Sequence, residues 1–196
     1  DKLDAKKTGN LAKQMKPLID LEIITRNNPI NKLGDNKKSG FEINDNLLRF
    51  YFTFLYKNAS ALQMLGAEAF YDEYIAPVLT EFISRRFEGI CRDYFSLQVR
   101  AGKRRGVRNI GSYYYDDPVH RKNGEFDVVL EYADGYEIYE AKYYAQPMTL
   151  DEIHREVRQV EAIRELKVKQ LGFIAINGFA EEESPYTYLN GKDISS

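Results

Sequence analysis

The sequence predicts an α/β domain built on a mixed sheet, in the order helix, strand, hairpin, helix, strand from Pro77 onward. Three observations carry this. From Pro77 to Tyr94, apolar residues recur every three or four positions, as on a long helix with one buried stripe. From Glu125 to Lys142, β-branched and aromatic residues flank the tight-turn pair Asp134-Gly135, the pattern of a β-hairpin. After it, an amphipathic helix leads into the continuous apolar run Leu171 to Ile176, which reads as a strand buried on both faces. Strand, helix and buried strand imply a crossover and parallel pairing beside the antiparallel hairpin.

Composition narrows the class. With 196 residues, 43% hydrophobic and 30% charged, the chain has the make-up of an ordinary globular protein. No apolar run is long enough to span a bilayer, and no basic segment followed by an apolar one marks a secretory leader. The single cysteine, Cys91, suits a reducing compartment, so a cytoplasmic location is expected. Cys91, His120 and His154 are too few for a closed zinc site. A formal net charge of −2 argues against a protein that coats nucleic acid over its whole surface. The chain opens on a polar segment rather than methionine and reads as a piece of a longer protein.

Along the chain, residues 8 to 21 place Leu11, Met15, Leu18 and Ile19 at helical spacing after a Thr8 cap, with Pro17 expected to kink or restart the helix. Ile23 to Thr25 and Phe41 to Ile43 read as short strands around the polar loop Asn27 to Gly40. Helix, strand, loop and strand match the later half of a winged helix-turn-helix, with that loop as the wing, and assign residues 1–45 to it. Residues 46–76 form a helical linker. Its first helix, Asn46 to Tyr56, is capped by Asp45 and apolar on nearly every side, which predicts a buried brace. Two shorter helical pieces then meet at Gly66. Residues 77–196 form the main domain, whose long helix carries Leu79, Phe82, Ile83, Phe87, Ile90, Cys91 and Tyr94 toward a core. Asn109 to Tyr115 is the first strand; Tyr113, Tyr114 and Tyr115 pack on the sheet or stack on a base. Thr149 and Glu152 form a capping box for the helix that runs to about Lys167. Tyr186 to Leu189 is one more edge strand.

The hairpin carries the chemistry. A two-residue loop at Asp134-Gly135 makes Asp127 face Lys142 and Val129 face Glu140; a four-residue loop, Ala133 to Tyr136, keeps that register, whereas a three-residue loop flips one strand. In the first two cases Asp127, Glu140 and Lys142 share one face within about 5 to 8 Å of one another, and two carboxylates so placed can hold a divalent cation such as Mg²⁺ or Mn²⁺. The same spacing also occurs on ordinary solvated strands. Glu88 lies beside the apolar stripe of the long helix and either joins this site or pairs with Arg85 or Arg92 on the surface. Arg100, Lys103, Arg104, Arg105 and Arg108 crowd one segment, which is a solvated loop or a patch that tracks nucleic-acid phosphates. His154 and Gln159 sit on the following helix, within reach of the site or on the surface.

An aspartate followed by Glu-x-Lys on the next strand, within a helix, three-strand, helix, strand order, resembles the core of the PD-(D/E)xK nuclease superfamily, with its restriction-endonuclease-like αβββαβ fold. Over almost the whole chain, the phrases FEINDNLLRFYFTFLY, RRFEGICRDY, IGSYYY, GEFDVVL and YEAKYY resemble the C-terminal region of archaeal and bacterial AAA-type ATPases of uncharacterised function. There an ATP-binding module precedes a winged helix and a nuclease-like domain. Two departures stand out: family members often carry tryptophan where this chain has Tyr113 and Tyr114, and their cysteine-lysine pair is here Ala141-Lys142. The resemblance implies that Asp127 and Glu140 bind Mg²⁺, that Lys142 is the pattern's lysine, and that Glu88 is the acidic residue of the preceding helix. It also implies two partners, DNA and the ATPase module. The phosphate-loop pattern G-x-x-x-x-G-K-[ST] does not occur in this chain. The expected activity is metal-dependent hydrolysis of DNA phosphodiesters; the alternatives are an inactive DNA-binding or docking domain that regulates the ATPase, and a winged-helix regulator with DNA contacts in residues 8 to 43.

Overall fold

The computed structural model describes residues 8–35, 37–117 and 122–195. They fall into two units, the described parts of Asp1–Asn28 with Gly34–Val78, and of Pro29–Leu33 with Leu79–Ser196. Among the described residues no helix is long and apolar enough to cross a membrane.

In the first unit, α1 (Thr8–Asp20) continues through Pro17 rather than ending there, and the Thr8 side chain lies outside the described residues. β1 (Ile24–Asn27) pairs antiparallel with β2 (Gly40–Ile43), Ile24 opposite Ile43. Asp45 caps α2 (Asn46–Phe50) as expected, its carboxylate accepting from the Leu48 amide at 2.7 Å. The predicted single helix to Tyr56 instead passes into a π-helical turn at Tyr51–Leu55 and a 3₁₀ turn at Tyr56–Asn58. α3 (Ala59–Phe70) is broken at Gly66, whose φ of +78° favours glycine. The expected buried brace is not found. Phe54 is buried, but Leu47 is 75% exposed, and Phe52 and Tyr56 are also open to solvent. An all-round apolar helix needs partners on every side, and the described residues cover only the Phe54 side.

The second unit is a five-stranded mixed sheet between two helices. Its strands, β3 (Asn109–Asp117), β4 (Lys122–Glu131), β5 (Tyr136–Lys142), β6 (Val168–Ala175) and β7 (Thr187–Asn190), lie in that order. The first three are antiparallel, while β6 and β7 join in parallel, as the crossover and the edge-strand reading predict. α4 (Ala76–Arg100) covers one face with Phe87, Cys91 and Phe95, which pack on Val128, Leu130, Tyr139, Ala141 and Ile174. One expectation for this stripe fails, as Ile90 is 47% exposed, and the stripe extends to Phe95, not singled out from the sequence but fully buried. The i, i+4, i+8 spacing of Phe87, Cys91 and Phe95 defines the buried line. α5 (Leu150–Glu161) covers the other face, with Ile153 and Val157 against Phe173 and Val160 near Val129 and Ile138. Its capping box forms as predicted, though the helix ends six residues before Lys167. The helix α6 (Gly191–Ile194) closes the described chain.

The edge strand β3 is covered from within the unit. The side chain of Asn31 donates to the Tyr114 carbonyl at 2.7 Å and accepts from the Tyr114 amide at 3.0 Å, filling the two positions a neighbouring strand would use. Ile30 presses so close that a Cβ on Gly111 would lie 2.7 Å from its Cγ2. Part of the expected wing loop, Pro29 to Leu33, therefore belongs with the sheet. Two of the three tyrosines of β3 pack on the sheet: Tyr115 stacks on Phe126 at 4.6 Å and Tyr113 meets Tyr136 edge-on at 5.2 Å.

Between β5 and β6, a Cβ on Gly172 would stand 2.6 Å from the Tyr139 ring and 2.9 Å from the Thr187 carbonyl. The ring cannot yield, because its hydroxyl is tied to Arg104 and Glu137. Gly172→Ala is therefore expected to lower stability by about 1–3 kcal/mol, measured by urea unfolding; an unchanged midpoint would show that the sheet relaxes.

Candidate active site

The hairpin closes through a four-residue turn, Tyr132 to Gly135, whose ends are joined by the Tyr132 amide and the Gly135 carbonyl at 2.8 Å. The turn begins one residue earlier than the predicted four-residue loop and two earlier than the predicted two-residue loop. Val129 therefore faces Ile138 and Val128 faces Tyr139, a slip of two positions from the expected partners. Because side chains alternate with period two, the slip preserves the face. One further step of this register sets Asp127 level with Glu140 instead of Lys142.

A second feature aims Asp127. Between the pairs Gly111–Val129 and Tyr113–Phe126, β3 contributes one residue and β4 contributes two, Asp127 and Val128. This is a β-bulge, which bends the strand and redirects the side chains at it. Arg92 on α4 donates to the Asp127 carbonyl at 2.7 Å, and the Asp127 carboxylate accepts from the Ala141 amide at 3.3 Å. Strand, helix and neighbouring strand thus all fix this residue.

Asp127, Glu140, Lys142 and Glu88 are brought together. The Lys142 ammonium donates to Glu140 Oε1 at 2.5 Å, and Glu156 on α5 lies 3.4 Å from the same nitrogen. Glu140 is the buried charged side chain among the described residues. Burial first, then the Asp127 charge, pushes its carboxyl up to about 8, against the pull of Lys142. Asp127 is also raised, chiefly by burial. Burial opposes the charge of Lys142, yet Glu140 and Glu156 more than offset it and hold the ammonium above its ordinary value. Glu88 is close enough to feel Asp127, Arg92, Glu125 and Lys142, and burial with the Asp127 charge raises it to about 7. The cluster is thus richer in carboxylate than in cation. Glu156 escaped the sequence reading because it merely flanks the apolar stripe of α5. His154 turns elsewhere, with Nε2 2.6 Å from Glu183.

The basic segment divides. Arg100, Lys103, Arg105 and Arg108 are exposed, whereas Arg104 folds inward. Its guanidinium pairs with Glu137, donates to the Tyr139 hydroxyl at 3.1 Å and lies 4.8 Å over the Phe95 ring. Glu137 precedes Lys142 by five residues, so their backbone positions are about 16 Å apart along β5 and their side chains leave opposite faces.

The donor set suits a hard cation. Asp127 and Glu140 offer carboxylate oxygens, as Mg²⁺ and Mn²⁺ prefer. Among the described residues no three His, Cys, Asp or Glu side chains are gathered as a ready metal cage. A cation held by two carboxylates would keep several waters, as Mg²⁺ commonly does.

A family model for archaeal and bacterial proteins of unknown function matches residues 51–160, a range that includes Glu88, Asp127, Glu140, Lys142 and Glu156. The chain is also similar to an uncharacterized protein of Methanocaldococcus jannaschii, MJECL04, with 30% identity over 89 residues. That match covers 45% of this chain and 19% of the relative, so the chain spans about a fifth of the relative's length. No solved structure matches the chain.

The raised Glu88 makes a pH prediction. A carboxyl whose folded value lies above its unfolded value of 4.5 stabilises the fold below that value, and the contribution is lost as pH rises through about 7. Metal-free protein is therefore expected to lose stability between about pH 4.5 and 7. Glu88→Gln should flatten this slope and add about 1 kcal/mol at pH 8, the full linkage value being reduced by solvent screening. Thermal unfolding of both proteins across that range checks it; parallel curves would place Glu88 outside the cluster.

Proposed function

We propose that this chain, which belongs to the DUF234 family of archaeal and bacterial proteins of unknown function, carries a metal-dependent nuclease module of the PD-(D/E)xK kind that hydrolyses DNA phosphodiester bonds. The observation that carries the reading is the buried Glu140, bonded to Lys142 at 2.5 Å and beside Asp127, whose carboxylate accepts from the amide of the next residue, Ala141. A structural strand gains nothing from burying such a group, because desolvating charges costs several kcal/mol that an ion pair seldom recovers. Perturbed carboxyls beside an ammonium are the equipment of a reactive centre.

Asp127 and Glu140 would hold Mg²⁺ or Mn²⁺. When bound, such an ion supplies charge to the phosphoryl oxygens and lowers the pKa of a water it holds. The ammonium of Lys142 stabilises negative charge developing on the phosphoryl group. Glu88, balanced near neutral pH, accepts the proton of the attacking water. The exposed Arg100, Lys103, Arg105 and Arg108 would track the backbone. In keeping with the resemblance of the whole chain, the module is attached to an ATPase and works in the cytoplasm.

A second reading is favoured by the first unit, where Leu47 and Met64 are 75% and 81% exposed. Apolar surface of this kind suits docking, and the chain would then be an inactive docking or DNA-binding domain that regulates the ATPase.

The readings separate in a cleavage assay on plasmid and single-stranded DNA with Mg²⁺ or Mn²⁺. Under the nuclease reading, Asp127→Asn, Glu140→Gln and Lys142→Met each reduce cleavage by about 100-fold or more while the circular dichroism spectrum is unchanged. Cleavage that survives all three substitutions, or its absence in the wild type, would leave the docking reading.

A further inference from the structure

We propose that Glu156 is a positioning residue for Lys142, taking over its ammonium when Glu140 turns its oxygens to a cation; the assignment rests on the nuclease reading of this site. Lys142 is shared between two carboxylates, 2.5 Å from Glu140 and 3.4 Å from Glu156. The second distance is longer than the 2.7–2.9 Å of a charge-assisted hydrogen bond, so this contact has room to tighten. Glu140 cannot serve both the ammonium and a divalent ion, since the two cations repel at such range. With side-chain exposures of 20% for Lys142 and 16% for Glu156, the displaced ammonium does not simply pass into bulk water.

Glu156 is placed to receive it. It comes from α5, not from the strands that carry Asp127 and Glu140, so it keeps its position whatever those two bind. The residues on either side of its turn, Ile153 and Val157, are buried in the core, and the Thr149–Glu152 capping box fixes the start of the helix. Without Glu156, Lys142 remains on Glu140 and competes with the metal.

The test is calorimetric titration of Mn²⁺ into the full chain, with thermal unfolding of each variant in the absence of metal. Glu156→Gln is expected to weaken Mn²⁺ binding about tenfold, the scale of losses seen when groups that orient metal ligands are removed. Glu156→Asp, which keeps the charge, should restore most of it and serves if the Gln variant does not fold. In the Lys142→Met background, Glu156→Gln should cause no further loss, because it acts through the ammonium. Undiminished binding by Glu156→Gln overturns the assignment alone, as does a tenfold loss repeated in the Lys142→Met background, which would make Glu156 a ligand in its own right. No saturable binding by the wild type overturns the nuclease reading, and the assignment with it.

Discussion

The central strand β5 is buried on both faces, and the rest of the second unit follows from that. Ile138 and Tyr139 point in opposite directions and are both fully buried, so a helix has to cover each side. α4 meets one with Phe87, Cys91 and Phe95, and α5 meets the other with Ile153, Val157 and Val160. Into this strand the sequence places Glu140, a charge where a hydrophobe would be cheaper. Its neighbours compensate: Lys142 lies two residues along the same face, and Glu156 reaches in from the covering helix.

Burial also explains why the carboxyls with raised values gather here. Glu88 and Glu140 hold their protons more tightly than free carboxyls because the surroundings solvate charge poorly and Asp127 adds repulsion. Arg92 uses its guanidinium on a backbone carbonyl, which fixes the bulge, and its charge offsets only part of the rise in Glu88 and Asp127. The result is a group of acids around the Lys142 ammonium, with more negative than positive charge close by.

The face of the hairpin was legible in the sequence because alternation depends only on parity, and parity survived the slip of two. The register itself was not, since Asp134-Gly135 fits several loops and only the Tyr132–Gly135 closure selects among them. The bulge at Asp127-Val128 left no mark, as neither residue is a glycine or proline that would signal one. The crossover, the capping box and the last edge strand were readable from local pattern. Arg104 could not be told from its neighbours, because its partner Glu137 is distant in sequence. The Asn46–Tyr56 stretch misled for a different reason: apolar composition measures a need for burial, and among the described residues little is supplied to Leu47 or Tyr56.

The contact of Asn31 with Tyr114 has a consequence for how the protein can be handled. One amide side chain does the work of a sixth strand at that point, and an uncovered strand edge is a template for joining other chains. Although Asn31 precedes β3 by some eighty residues, it belongs physically to the sheet. A fragment begun at Leu79 to isolate the hairpin would keep every residue of the carboxylate cluster and lose this cover. Its edge would then be free to recruit a second copy, so self-association of such a fragment would report a missing side chain, not a natural oligomer.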